Sequence, residues 1–181
     1  MGGHHLILGQ MQDILSGTII ADTHDNRYRQ KIAALLLTLG YDAEEITSNI
    51  PLVLKCDTKR AEIRLDFLVQ PKGKASLLIR YGPGSLVTRR TPARAAALLM
   101  SAPLFVVTNG EDAEILETRS GVLLTQGLER IPGPAILNEA SLLQEPLNPV
   151  LEDRCHRILY AFEVNDACPC DDAVCHLNPE T

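Results

Sequence analysis

Tryptophan is absent from this chain of 181 residues, and aromatic side chains of all kinds make up only 4%. A core must therefore be assembled from Leu, Ile, Val and Ala. A basic surplus is missing as well: 17 Lys and Arg face 23 Asp and Glu, a formal net charge of -6. A free-standing DNA-binding domain ordinarily carries excess positive charge, because it must neutralise phosphates. Any nucleic-acid surface here is therefore local. No apolar run approaches the ~20 residues that a membrane-spanning helix needs. The N-terminus, "MGGHHLILGQ", has neither a basic start nor a small-residue cleavage site, so a secretory signal is not expected and a cytoplasmic location is. The five cysteines are odd in number and crowd toward the C-terminus, unlike a disulfide framework. What is present, 45% apolar and 22% charged residues, suits a folded domain with a sizeable core.

Along the chain, residues 1–24 read as a leader with one apolar patch, "DILSGTII". Asp22, Thr23, His24 and Asp25 offer capping side chains for a helix over 26–39, in which Tyr28, Ile32, Leu35, Leu36 and Leu39 recur at helical spacing and Gly40 supplies a stop. "EITSNIPLVLKCD" reads as a strand interrupted early by Pro51. In "AEIRLDFLVQ", strict alternation sets Ile63, Leu65, Phe67 and Val69 on one face and Glu62, Arg64, Asp66 and Leu68 on the other. "PKGK" is a hairpin turn into a third strand, "KASLLIRYG". A crossover helix, "TRRTPARAAALLMSA", tolerates Pro92 in its first turn. "PLFVVTNG" reads as a strand buried on both faces, with a turn at Asn109-Gly110, and "DAEILETRSGVLLTQG" as a closing hairpin. The core thus spans 25–130. Residues 131–181 add a Pro-rich connector with one short helix, "NEASLLQ", a final amphipathic helix, "PVLEDRCHRILYAFEV", and a cysteine-bearing tail. A helix, a hairpin and a crossover to an inner strand predict a mixed α/β sheet flanked by helices.

Four stretches together carry a family likeness: "RYRQKIAALLLTLGY", "AEIRLDFLV", "LLIRYGPGSLVTRR" and "PLFVVTNGEDAEILETRSGVLLTQGLERIP". On them the chain resembles the N-terminal nuclease domain of the type I restriction enzyme R subunit, in particular its stand-alone bacterial relatives; "YAFEVNDACPCDD" fits that subgroup. The resemblance implies the restriction-endonuclease fold, PD-(D/E)XK, and a Mg²⁺ site. That chemistry takes an Asp on one strand and Glu-x-Lys on the next, with an acid or glutamine on the first helix assisting. Two carboxylates hold the cation, which lowers the pKa of a bound water, and the lysine meets the developing charge.

Carried over residue by residue, Asp66 matches the first carboxylate and Gln30 the helix position, while Asn26 stands where an acid is expected. Leu78 occupies the Glu position if Arg80 is matched to Lys; shifted by one, Ile79 and Tyr81 stand there. Neither register supplies a second carboxylate, and arginine is a poor proton handler. Glu62 shares the face of Asp66 but lies about 13 Å back along the strand; Glu44 and Glu45 are the other acids that folding might bring near. Arg80 has two readings, a phosphate contact or a cross-strand pair with Asp66 that fills the space a metal needs.

Arg89, Arg90 and Arg94, with Lys74 nearby, form the one notable basic cluster and are the candidate nucleic-acid contacts, against the plainer reading of a solvated face. Cys168, Cys170, Cys175 and His176 have enough thiolate and imidazole for a structural zinc, against a tail of free thiols. Three functions follow. The first is a degenerate nuclease-fold protein that binds DNA or a protein partner in a restriction-modification or DNA-processing context without cutting. The second is an active Mg²⁺-dependent endonuclease with a relocated carboxylate. The third is a zinc or redox interaction module acting through the tail.

Overall fold

The computed structural model describes residues 8–139, 146–165 and 174–177. The leader is a small hairpin, β1 (Gln10–Gln12) and β2 (Ile19–Ala21), paired antiparallel. Helix α1 (His24–Thr38) begins earlier than the apolar spacing alone predicts, because Thr23 accepts the Asn26 amide and so caps it there. Gly40, at φ 97°, ends the helix as expected.

The strands then run β3 (Ile46–Cys56), β4 (Lys59–Val69) and β5 (Leu77–Tyr81), each antiparallel to the last. Lys72 and Gly73, both left-handed, reverse the chain between β4 and β5. Helix α2 (Arg90–Leu99) crosses over so that β6 (Leu104–Thr108) lies parallel to β5, and β7 (Ala113–Glu117) and β8 (Leu123–Gln126) close the sheet. The order is β3-β4-β5-β6-β7-β8, with β9 (Val174–Leu177) added against the start of β4. Short α3 (Pro134–Glu139), α4 (Pro149–Leu159) and a turn of π-helix (Tyr160–Asn165) complete the described chain.

Two apolar layers sandwich the sheet. Ile32, Ala33 and Leu36 of α1 pack on Phe67, Val69, Leu77, Ile79, Val106 and Ile115. On the opposite face, the alanines of α2 and Cys155, Leu159 and Tyr160 of the C-terminal segment pack on Ile63, Leu65, Leu78, Phe105 and Val107. All five residues of β6 are buried, as its near-continuous apolar run predicts.

Two strand expectations are corrected. Pro51 does not interrupt β3, which runs through it; β3 is the edge of the sheet, where a residue without an N–H costs no ladder bond. Nor does β4 alternate strictly. Ile63 and Leu65 belong to the α2 layer, but Phe67 and Val69 belong to the α1 layer. The change of face falls at Asp66, where the β3–β4 register skips a pair and Asn49 of β3 sits at φ 54°. Most of the short helix expected over 138–144 lies outside the described residues, as do Cys168 and Cys170; Cys175 and His176 are described only as members of β9.

Candidate functional site

The pairing of β4 with β5 runs from Val69↔Leu77 to Phe67↔Ile79 and goes no further. Beyond it the Tyr81 amide donates not to the β4 backbone but to Asp66 Oδ2, at 3.1 Å. The Asp66 carboxylate thus sits in a fork between two strands, its side chain 5% exposed. Charge reaches it from both layers. From α1, Arg29 Nε donates to Oδ1 at 2.9 Å; Arg80 Nη1 lies 3.5 Å from Oδ2. Arg80 is itself only 11% exposed, donates to the Arg64 carbonyl at 2.9 Å, and reaches Glu163 of the π-helical turn at 3.2 Å. Burial works against its charge, but Asp66 and Glu163 outweigh that and raise its pKa further, fixing it as a guanidinium.

Two tyrosines stand beside the carboxylate. The Tyr81 hydroxyl donates to Asp25 at 3.2 Å, and burial, then the Asp25 charge, push its pKa above the usual phenol range. Its ring stacks on Tyr28 at 5.7 Å, with Arg29 5.5 Å from the Tyr81 centroid and Lys31 4.6 Å from that of Tyr28. Tyr28 lies directly over Gly110, where a Cβ would overlap its ring, so the Asn109-Gly110 turn serves as the floor for that aromatic. The cluster lies by the carboxyl end of β5, which runs parallel to β6, where α/β sheets commonly place sites.

The residues expected from sequence are only partly brought together. Asp66 and Arg80 meet. Gln30 does not join them: it accepts the Ile14 amide at 2.7 Å and donates to Asp13 at 2.8 Å, tethering the β1–β2 hairpin to α1. Arg29 takes the place expected for it. The helix period explains why, since residues 25 and 29 share the face of Ile32, Ala33 and Leu36 that packs on the sheet, whereas 30 does not. That periodicity is plain in the sequence itself. The acids considered as replacements lie elsewhere: Glu62 pairs with Arg64 at 2.7 Å, and Glu45 accepts the Asp42 amide at 3.2 Å. Among the described residues no group of three or more His, Cys, Asp or Glu side chains is placed to hold a metal.

The basic cluster divides in two. Arg90 grips buried Glu114 through two bonds of 2.6 Å, which hold the carboxyl below its ordinary range. Arg94 donates to the carbonyls of Thr118, at 2.8 Å, and Arg119. Both thus join α2 to β7 and the turn that follows it. Arg89, half-buried, donates to the Pro83 carbonyl at 3.0 Å and packs its guanidinium over Gly82, and Lys74 is exposed.

A mixed sheet between two helical layers, forked around a buried carboxylate at its strand ends, defines an α/β domain with a charge cluster in its interior. The chain belongs to the family described as type I restriction enzyme R protein N terminus, whose model matches residues 24–132, more than half of its length. No curated protein and no solved structure matches it.

Proposed function

We propose that this protein is a nuclease-fold domain that binds DNA in a restriction-modification setting and does not cleave it. One observation carries the reading: the Asp66 carboxylate is held by two guanidinium groups and an amide. A divalent cation at the same oxygens would stand against Arg29 and Arg80. Mg²⁺ is usually bound through one or two carboxylates together with substrate oxygens. A single carboxylate already paired with two fixed cations does not fit that ion. The family supports the restriction context, and the lack of Glu-x-Lys at Leu78-Ile79-Arg80 supports the loss of cutting.

The alternative, an active Mg²⁺-dependent endonuclease with a relocated carboxylate, has a specific candidate in Glu163. It shares the Arg80 guanidinium with Asp66, each acid facing a different terminal nitrogen. For the two acids to share a metal, Arg80 must leave.

The test is titration of the protein with Mg²⁺ and Mn²⁺ by calorimetry, beside a supercoiled-plasmid nicking assay and a duplex-binding assay. The expected result is salt-sensitive duplex binding, no heat from either cation and no nicking. Nicking that requires Mg²⁺ and disappears in both Asp66→Ala and Glu163→Gln would replace this reading with the alternative.

A further inference from the structure

A cleft of about 320 Å³ opens beside the charge cluster, between the end of β5, the start of α2 and the π-helical turn. Its volume falls at the small end of ligand pockets, roughly 300–1,000 Å³, enough for one planar ring system and too small for a duplex. Arg80 and Tyr81 contribute to its lining; Pro92 and Phe162 add apolar walls, and Arg89 and Glu163 further polar groups.

Three features mark it as a place for a particular chemistry. Phe162 is one of three phenylalanines in a chain without tryptophan, yet 46% of it is exposed, at the cleft. An aromatic face left open in a protein so poor in aromatics offers a stacking partner. Arg89 is fixed in place: its Nη2 is spent on the Pro83 carbonyl, and its guanidinium lies over Gly82, where a Cβ would overlap it. Its other N–H groups remain to donate. Glu163 uses Oε1 on Arg80, and that guanidinium is shared with Asp66. The second oxygen of Glu163, on a side chain 28% exposed, is left to accept.

A stacking face, a fixed guanidinium and a carboxylate acceptor together suit a nucleobase that has acceptors on one edge and donors on another. Guanine has both: O6 and N7 for an arginine, N1–H and the 2-amino group for a carboxylate. Adenine offers no such donor pair beside a carbonyl. We propose that the cleft receives a single unpaired guanine of a nucleic-acid strand. This rests on the nucleic-acid-binding reading above and adds to it a base and a pocket. Phe162 and Glu163 lie beyond residues 24–132, so the pocket belongs to this chain's C-terminal extension and not to the family domain alone.

The experiment measures binding of short labelled single strands that differ at one base, guanine, inosine or adenine, with free dGMP and dAMP as competitors and duplex DNA as a separate arm. The variants are Phe162→Ala and Glu163→Gln. Because Glu163 also touches Arg80, Phe162→Ala, a change at an exposed ring, keeps the test decisive if the other variant is unstable. The guanine strand should bind about tenfold tighter than adenine, with inosine between them, and Phe162→Ala should weaken binding about tenfold. Equal affinity for all strands, or an unchanged Phe162→Ala, overturns the guanine pocket while leaving DNA binding in place. Failure to bind any strand or duplex overturns both. Binding of dGMP alone, with no affinity for strands or duplex, overturns the nucleic-acid reading and the strand occupant together.

Discussion

Asp66 and Arg80 are charged groups in a nearly dry place, tolerable because opposite charge meets each of them: Arg29 and Arg80 at Asp66, Asp66 and Glu163 at Arg80. Removing one member of such a pair leaves an uncompensated charge, which typically costs about 3–5 kcal/mol. Arg29 is more exposed, and Glu163 still serves Arg80, so the loss at Asp66 falls at the lower end. Asp66→Ala is therefore expected to lower the unfolding free energy by about 3 kcal/mol in urea titration. A cost under ~1 kcal/mol would mean that the fork does not depend on its carboxylate. Gly110→Ala tests the aromatic floor. At φ 88°, with the Tyr28 ring over it, the substitution meets both backbone strain and overlap. It should destabilise by about 2 kcal/mol or more, whereas the same change at Gly84, also at positive φ but with open space around it, should cost less. Asp66 and Arg80 are legible in the sequence, because a lone acid within an apolar strand and a cation at the end of the next stand out. Arg29 is passed over for Gln30 when a family position is matched instead of the helix face being followed. Glu163 carries no local signal, since only the return of the C-terminal segment brings it to Arg80.

The elements are joined by ion pairs whose partners sit on different pieces of the chain. Arg90 at the start of α2 and Glu114 on β7 form the tightest of these, with Gln126 of β8 also reaching Glu114 at 3.3 Å. The hydrogen bonds from Arg90 depress the Glu114 pKa in the folded protein. A depressed carboxylate contributes stability that is present above its unfolded pKa and lost as pH falls through the folded value. Glu114→Gln should therefore destabilise at neutral pH, by about 2 kcal/mol. It should also flatten the decline in melting temperature below the ordinary glutamate range; an equally steep acid decline in the variant would deny the pair that role. Element types are legible where one period dominates, as in α1, in buried β6 and in the β7–β8 hairpin. They are less legible where strand position decides the outcome. Pro51 can be judged only once β3 is known to be an edge, and the change of face in β4 falls where the register with the neighbouring strand skips a pair at Asn49. The leader's hairpin escapes a reading by pattern because its strands are three residues each and gain their place through Gln30 and Asp13.

Over the whole molecule, a net charge of -6 opposes binding to a polyanion, so any duplex surface must concentrate the few cations not consumed inside. Four basic residues in sequence proximity do not make four phosphate contacts. Arg90 and Arg94 are committed to the packing of α2 on the β7 side and Arg89 lines the cleft, while Lys74 is exposed. Sequence alone does not separate them, because Arg89 stands just before α2 while Arg90 and Arg94, one turn apart on it, share the face toward β7, and their acceptors lie some two dozen residues further on. The separation predicts opposite signatures. The slope of log affinity against log salt falls by about one for each phosphate that a variant ceases to neutralise. Lys74→Ala should reduce that slope by about one in duplex titrations at graded salt, with the melting temperature nearly unchanged. Arg90→Ala should lower the melting temperature and leave the slope alone, because its guanidinium is turned to Glu114 and away from the phosphates. If both variants shift the slope equally, Arg90 exchanges Glu114 for DNA on binding. If neither shifts it, Lys74 is only solvated, and the meeting of this domain with DNA must be sought at the cleft beside Phe162.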